Sequence, residues 1–214
     1  PFILPFRFFT RLSSPFFDTR RNICYTLAPD DHNTHAASPG AAGRKMKPLG
    51  IISGTVFLQG KGIFADLREE EVETQFGRAL VCRSTEIVFI PRHGKDPRCH
   101  ILPHLINHQA NLQAMKNLGA SEVLGVHSTG SLKRRVKPGT LVIPDDYIMP
   151  TAGPTTIRGN PVHITPVLNA EARRRWLDAA RDCGVDVSDG GVYWQTAGPR
   201  LETRAEIAMM ARFA

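Results

Sequence analysis

The sequence predicts an α/β sandwich built around one sheet, and three observations carry that prediction. Short apolar runs alternate along the chain with longer segments of helical periodicity. Those runs end in clusters of Gly, Pro and Ser, the residues that punctuate strand ends. At 214 residues, 42% hydrophobic and 22% charged, the chain is long enough to bury one substantial core. Strands that alternate with helices bury both kinds of element by laying the helices against the sheet.

In chain order, residues 49–52 are a short apolar strand that runs into Ser53-Gly54-Thr55. Residues 85–90 form a second strand, closed by Pro91-Arg92-His93-Gly94. Residues 107–119 are predicted helical, with Ala110, Leu112, Ala114, Met115 and Leu118 as the apolar face and Gly119 as the C-cap. The nearly continuous apolar run at 121–126 is expected as a central strand. Residues 139–143 add another, after which Pro144 and Asp145-Asp146 turn the chain. A loop of Gly, Pro and Thr occupies 151–160, and 169–183 is an amphipathic helix stopped at Gly184. Residues 191–196 read as a buried strand that Ala197-Gly198-Pro199-Arg200 breaks. A last helix, 203–213, should turn Ala205, Ile207, Ala208 and Met209 inward. No internal repeat appears.

Residues 1–45 do not read like the rest. They are rich in Phe, Pro, Arg and Ser and lack periodicity, so they are expected to be a disordered or non-native tail, dispensable for folding, with the domain beginning at Met46. Net charge is +7, of which +4 belongs to the residues after Met46. That mild excess suits a small anionic substrate as well as nucleic acid. No aromatic–basic interleaving marks a nucleic-acid face, and Lys133-Arg134-Arg135 and Arg173-Arg174-Arg175 read as solvated faces. The scattered Cys24, Cys82, Cys99 and Cys183 give no disulfide framework, which points to a reducing compartment. No apolar run is long enough to span a membrane.

Several strand ends carry residues suited to an anion. Ser53-Gly54-Thr55 offers backbone N–H groups and hydroxyls, although such a triplet is also a common turn. At Arg92-His93-Gly94 a guanidinium can fork onto two oxyanion oxygens with an imidazole beside it; a surface Arg and a packed His would look the same. The small residues Ser128-Thr129-Gly130-Ser131 let backbone N–H groups approach an anion closely. His100, His104 and His108 are spaced four apart, but Pro103 interrupts the first interval and no metal site is assigned. In residues 190–203, Thr203 and Glu206 have the spacing of a capping box. The cap leaves Glu202 unexplained at a strand end where α/β proteins place ligands.

Taken together, GIISGT (50–55), RHG (92–94), NHQAN (107–111) leading to STGSL (128–132), and GPRLET (198–203) followed by Ala205-Glu206-Ile207 resemble the purine nucleoside phosphorylase and methylthioadenosine phosphorylase family. The four segments occur in the family's order, and the resemblance runs from about Leu49 to Ala214. It implies a nucleoside phosphorylase-like sandwich, a mixed central sheet flanked by helices. It also implies phosphate-dependent cleavage of a purine nucleoside to the base and ribose 1-phosphate. Thr55, Arg92, His93 and Ser128 would hold phosphate, and His127 and Thr196 would line the substrate. Glu202 would bind the base and, with His93, carry the catalysis. A carboxylate only accepts hydrogen bonds. Hypoxanthine and guanine carry a proton on N1 and neutral adenine does not, so Glu202 implies preference for inosine, guanosine or methylthioinosine. Family members selective for methylthioadenosine have Ser at that position.

The sequence departs from the family at three places. Ser53 stands where Gly is usual, and either adds a donor or crowds the loop. His127 stands where Asn, Ser or Thr is usual. Two extra residues before Pro103 leave either Cys99 or His100 at the position of a family histidine. The resemblance further implies no metal or organic cofactor, inorganic phosphate as co-substrate, a homotrimer or hexamer, and a cytoplasmic location. The family continues with a strand and helices past the position of Ala214. Residues 46–214 are thus expected to be a phosphorylase domain truncated at its C-terminus and inactive alone. The alternatives are S-methyl-5'-thioadenosine phosphorylase and an inactive nucleotide-binding fragment.

Overall fold

The structure, a computed structural model, describes residues 47–54, 63–64, 66–96, 98–159 and 161–214. The expected tail at 1–45, Cys24 and the predicted phosphate ligand Thr55 lie outside the described residues. The main sheet has five strands: β1 (Leu49–Ser53), β2 (Arg68–Thr74), β3 (Gly77–Arg83), β4 (Ile87–Pro91) and β5 (Glu122–Gly125). They lie side by side in the order β2-β3-β4-β1-β5. β4, β1 and β5 run parallel, whereas β3 is antiparallel to both β2 and β4, so the sheet is mixed.

β4 reads Ile-Val-Phe-Ile-Pro because every one of its side chains is buried. Its alternation divides the core in two. Val88 and Ile90, with Ala79 and Val81 of β3, pack against Ala110, Ala114 and Met115 of helix α1 (His108–Asn117). Ile87 and Phe89 turn to the opposite face, where they meet Ile51, Cys82 and Phe64. The Phe64 ring meets Phe89 edge-on at 5.1 Å. Burying Phe89 completely is worth about 1.5–3 kcal/mol relative to exposure. A Cβ on Gly50 would lie 3.0 Å from the Glu122 carbonyl oxygen and 3.1 Å from Met115 Sδ. Only glycine lets β1 pass that close to both β5 and α1. Asn107 caps α1 by accepting from the Ala110 N–H at 3.0 Å. Its amide also donates to the Phe76 carbonyl at 2.7 Å, tying the helix start to the β2–β3 turn.

The β2–β3 hairpin is an element that the strand patterns of the sequence do not mark. β2 reads Arg-Glu-Glu-Glu-Val-Glu-Thr, a charged sheet edge rather than an apolar alternation. Its carboxylates are answered by cations: Glu69 by Lys95, Glu70 by Arg83, and Glu71 and Glu73 by Arg78. The expectation for 121–126 also needs correction. β5 is the end strand of the described sheet, and its Val123 is exposed.

The C-terminal half is built differently. β6 (Leu141–Ile143) pairs in parallel with β8 (Val187–Asp189), and β7 (Asp146–Ile148) with β9 (Val192–Trp194). Asp146 therefore opens a strand where the sequence suggested a turn. The strand expected at 191–196 has three residues, half-buried, because only β7 pairs with it among the described residues. Helices α2 (Ala170–Asp182) and α3 (Arg204–Phe213) stand where predicted, capped by Asn169 and Thr203. The inward side of α3 is Met210; Ile207, Met209 and Phe213 are exposed.

Candidate functional site

The parallel strands β4, β1 and β5 end together. Ser53 pairs with Pro91, and Ile52 with Gly125, so the residues that follow each strand converge at one sheet edge. The backbone carries this convergence one residue further: Arg92 N–H donates to the Ser53 carbonyl and Val126 N–H to the Ile52 carbonyl, both at 2.9 Å. Ser53 is buried, and its hydroxyl donates to the Val126 carbonyl at 3.0 Å, stapling β1 to β5. The Arg92 guanidinium donates to that same carbonyl at 3.1 Å. Among the described residues this is the guanidinium's one hydrogen bond, and a guanidinium carries five N–H donors.

His93 follows, with its imidazole Nδ1 donating to the Ile101 carbonyl at 2.9 Å. A carbonyl can only accept, so Nδ1 carries the proton and Nε2 is left for another partner. The His100 ring stacks on His93 at 4.3 Å. From the end of β5, His127 folds back over Gly125, where an added Cβ would come within 2.8 Å of Nε2. Its other neighbour is Tyr193 of β9, at 5.9 Å between ring centroids. Ser128 comes next in the chain and is exposed.

These groups act on one another electrostatically. Loss of hydration against the surrounding protein, although part of the side chain is open to solvent, and after it the positive charges of Arg92, His108 and His93, together lower His127 to about 4. Desolvation, then the neighbouring Arg92, His100 and His108, holds His93 below its ordinary range despite the bond to Ile101. His108 is lowered by desolvation and by Arg92. Burial pushes the Tyr193 phenol up, against a smaller pull from Arg92. Among the described residues no carboxylate contributes to any of these four shifts. Cationic and donor groups thus gather at the strand ends without a counter-charge, which is the arrangement an oxyanion completes.

The second predicted group lies after β9. Tyr193 donates from its hydroxyl to Gln195 Oε1 at 2.8 Å, and Gln195 donates from Nε2 to the Thr196 carbonyl at 2.6 Å. Thr196 itself is exposed. The capping box is present: the Thr203 hydroxyl accepts from the Glu206 N–H at 3.2 Å, and Glu206 accepts from the Thr203 N–H at 2.6 Å. Arg200 closes on Glu206 through two bonds of 2.7 and 2.8 Å. Those contacts and that backbone bond depress Glu206 to about 2. Cap and ion pair together consume Thr203, Arg200 and Glu206, whereas the half-buried Glu202 makes no hydrogen bond or ion pair with a described residue.

The structure therefore brings Arg92, His93 and His127 together and adds His108 and Tyr193, which the sequence did not single out for the site. The Tyr193 ring meets His127 and so links this cluster to the strand that leads to Thr196 and Glu202. His100, His104 and His108 do not share a helix face. The first two flank or occupy a short 3-10 turn (Pro103–Leu105) and the third opens α1. Among the described residues, no three His, Cys, Asp or Glu side chains are disposed to hold a metal.

A family model described as the phosphorylase superfamily matches residues 48–214. The chain belongs to that superfamily. It is 41% identical over 171 residues to a probable 6-oxopurine nucleoside phosphorylase of Archaeoglobus fulgidus, covering 78% of this chain and 69% of the relative. It is 33% identical over 180 residues to an S-methyl-5'-thioadenosine phosphorylase of Thermococcus kodakarensis, covering 79% and 68%. An adenosine/methylthioadenosine phosphorylase double mutant from Schistosoma mansoni superposes with a TM-score of 0.65 at 25% identity, over 78% of this chain and 68% of that one. The superfamily member described here thus spans about two thirds of the length of these relatives. The mixed sheet is the architecture that the resemblance implied.

Proposed function

We propose that this phosphorylase-superfamily member cleaves purine nucleosides with phosphate, giving the purine base and ribose 1-phosphate, and that it prefers 6-oxopurine substrates. The observation that carries the reading is the cluster of Arg92, His93 and His127 at the ends of three parallel strands, with no carboxylate among them. Phosphate would sit there, held by the Arg92 fork, His93 and the Ser128 amide, with Thr55 as a further ligand. His127 would line the boundary between phosphate and nucleoside, and Thr196 would lie beside the sugar and base. Held in line beneath the anomeric carbon, phosphate attacks as the glycosidic bond loosens and the sugar becomes cationic. The electron pair of that bond leaves on the purine. Glu202, free of the helix cap, accepts from N1–H and steadies the departing base. A site built to accept that hydrogen bond discriminates against a base that lacks the donor.

The name of the 41% identical relative agrees with the 6-oxopurine preference. Cleavage of methylthioadenosine is the second reading, supported by the 33% identical relative and the superposed structure. The proposed chemistry needs no metal or organic cofactor. Assembly is proposed as a homotrimer or hexamer, and location as cytoplasmic; no helix among the described residues is long and apolar enough to cross a membrane. The test is release of free base by the purified protein with inosine, adenosine, methylthioinosine and methylthioadenosine, each with and without phosphate. Phosphate-dependent release with higher kcat/KM for the 6-oxo member of each pair is expected. Faster turnover of the 6-amino members would establish the second reading, and release without phosphate would remove the phosphorolytic mechanism.

A further inference from the structure

The two groups of residues assigned to the site stand on different supports. Arg92, His93 and His127 follow strands of the main sheet, whereas Thr196 and Glu202 follow β9, which pairs with β7 in a separate two-stranded sheet. Tyr193, at the centre of β9, reaches towards both groups. Its ring lies against the His127 imidazole, with centroids 5.9 Å apart and planes inclined by 26°. That imidazole has no hydrogen-bond partner among the described residues. Ring contact therefore orients it, together with Gly125, where a Cβ would come within 2.8 Å of its Nε2. On the other side, residues two apart on a strand share a face, and the Tyr193 hydroxyl donates to Gln195 Oε1 at 2.8 Å. Gln195 Nε2 donates onward to the Thr196 carbonyl at 2.6 Å. A carbonyl only accepts, so the amide nitrogen faces Thr196 and the amide oxygen is left to the phenol. The Gln195 backbone is itself pinned by its N–H bond to the Ile148 carbonyl at 2.9 Å.

We propose that Tyr193 is a positioning residue: its ring sets the His127 imidazole, and its hydroxyl, through Gln195, sets the backbone at Thr196, so that phosphate and nucleoside are held in register. This role rests on the reading of the two groups as one nucleoside phosphorylase site. Two features distinguish it from ordinary packing. A half-buried phenol needs a partner for its O–H, and a single backbone carbonyl would satisfy it. Here the bond goes instead to a side chain that passes it on to the residue proposed beside the sugar and base. The ring contact, moreover, crosses from the sheet of the nucleoside residues to the end of the sheet that carries the anion cluster. In-line attack of phosphate tolerates little misplacement, since an error of about 1 Å costs on the order of a hundredfold in rate. Ring and hydroxyl have separable duties, one towards the anion and one towards the nucleoside.

The experiment compares the parent protein with Tyr193→Phe, which keeps the ring and removes the hydroxyl, and with Tyr193→Ala, which removes both. Melting curves establish that each variant is folded. Calorimetry measures binding of inorganic phosphate and of hypoxanthine, and steady-state kinetics give kcat and KM with inosine. The His127 titration is followed by NMR of its ring protons, assigned by their absence in His127→Gln. In Tyr193→Phe, hypoxanthine affinity and kcat/KM for inosine should fall about tenfold, while phosphate affinity and a His127 titration at about 4 are retained. In Tyr193→Ala phosphate affinity should fall as well, and the His127 titration should rise towards its ordinary value as water reaches the ring. Gln195→Leu should reproduce Tyr193→Phe, and the double variant should be no worse than either alone. Parental hypoxanthine affinity and kcat/KM in Tyr193→Phe, or a parental His127 titration in Tyr193→Ala, would overturn the positioning role and leave the phosphorylase reading standing. Equal losses of every quantity in both variants, with an equal fall in melting temperature, would also overturn it and reduce Tyr193 to packing. A parent that binds neither phosphate nor hypoxanthine and releases no base from inosine would overturn the phosphorylase reading, and the positioning role with it.

Discussion

The two halves of the molecule solve the problem of holding a site in different ways. The anion cluster stands on β1, β4 and β5, strands whose sheet packs against α1 on one face and against Phe64 and its neighbours on the other. Phe89, Ile90, Val81 and Met115 are almost completely buried there, and the neighbouring residues that follow the strands inherit that rigidity. The segment proposed for the base, 195–202, follows β9, a three-residue strand paired only with β7 among the described residues. In the same C-terminal half of the chain the apolar side chains of Leu141, Val142, Ile157, Ile164, Val167, Leu201 and Phe213 are exposed. A site on the first support is positioned by the core of this chain. On the second support, it is held by local devices: a capping box, an Arg200–Glu206 pair, and the Tyr193–Gln195 bond. Local stability should differ accordingly, and the base segment should open more readily than the anion cluster.

The largest expected effect tests that contrast directly. Phe89→Ala removes a fully buried ring from the centre of the main sheet and should cost about 3–5 kcal/mol of unfolding free energy. Ile164→Ala, in a side chain 73% exposed, should stay within about 0.5 kcal/mol. Chemical denaturation of the two variants measures both. Comparable losses would mean that the C-terminal half is packed as tightly as the sheet, and the comparison would fail.

A somewhat smaller effect is expected at the base segment. Glu202→Ala should reduce kcat/KM for inosine by about 2–4 kcal/mol of transition-state stabilisation. It should leave the melting temperature close to that of the parent, because Glu202 takes no part in the cap. Steady-state kinetics paired with a thermal melt separate the two quantities. A large fall in melting temperature would assign Glu202 to structure instead of to the base.

The smallest effect concerns pH and sharpens the account of the anion cluster. His127 titrates at about 4 in the folded protein against an ordinary value near 6.5. Between those values the unfolded chain binds the proton and the folded chain does not, so the folded state loses stability as pH falls from about 6.5 towards 4. Above pH 6.5 His127 is neutral in both states and contributes no slope. Melting temperatures recorded across that range should fall towards acid, and His127→Gln should flatten the curve. Saturating phosphate should also flatten it, because a bound anion favours the protonated ring. An unchanged slope in His127→Gln would show that other groups govern the acid limb.

The sequence alone determined the motifs and the helix boundaries. Asn107, Asn169 and Thr203 announce helix starts, because a side-chain oxygen beside an unsatisfied backbone N–H acts within a few residues. The RHG and GPRLET segments carried the family, and the box between Thr203 and Glu206 isolated Glu202 before any fold was known. The β2–β3 hairpin escaped because its ladder is made by backbone groups and paired charges, which leave no apolar alternation to read. The membership of the anion cluster was decided only by the tertiary structure. His127 follows β5 and Tyr193 lies on β9, far apart in the chain. Their rings meet where Gly50 lets β1 approach β5 and Gly125 makes room for the His127 ring. Spacing along a sequence records local geometry, whereas a counter-charge that is absent from one side of a site is a property of everything packed around it.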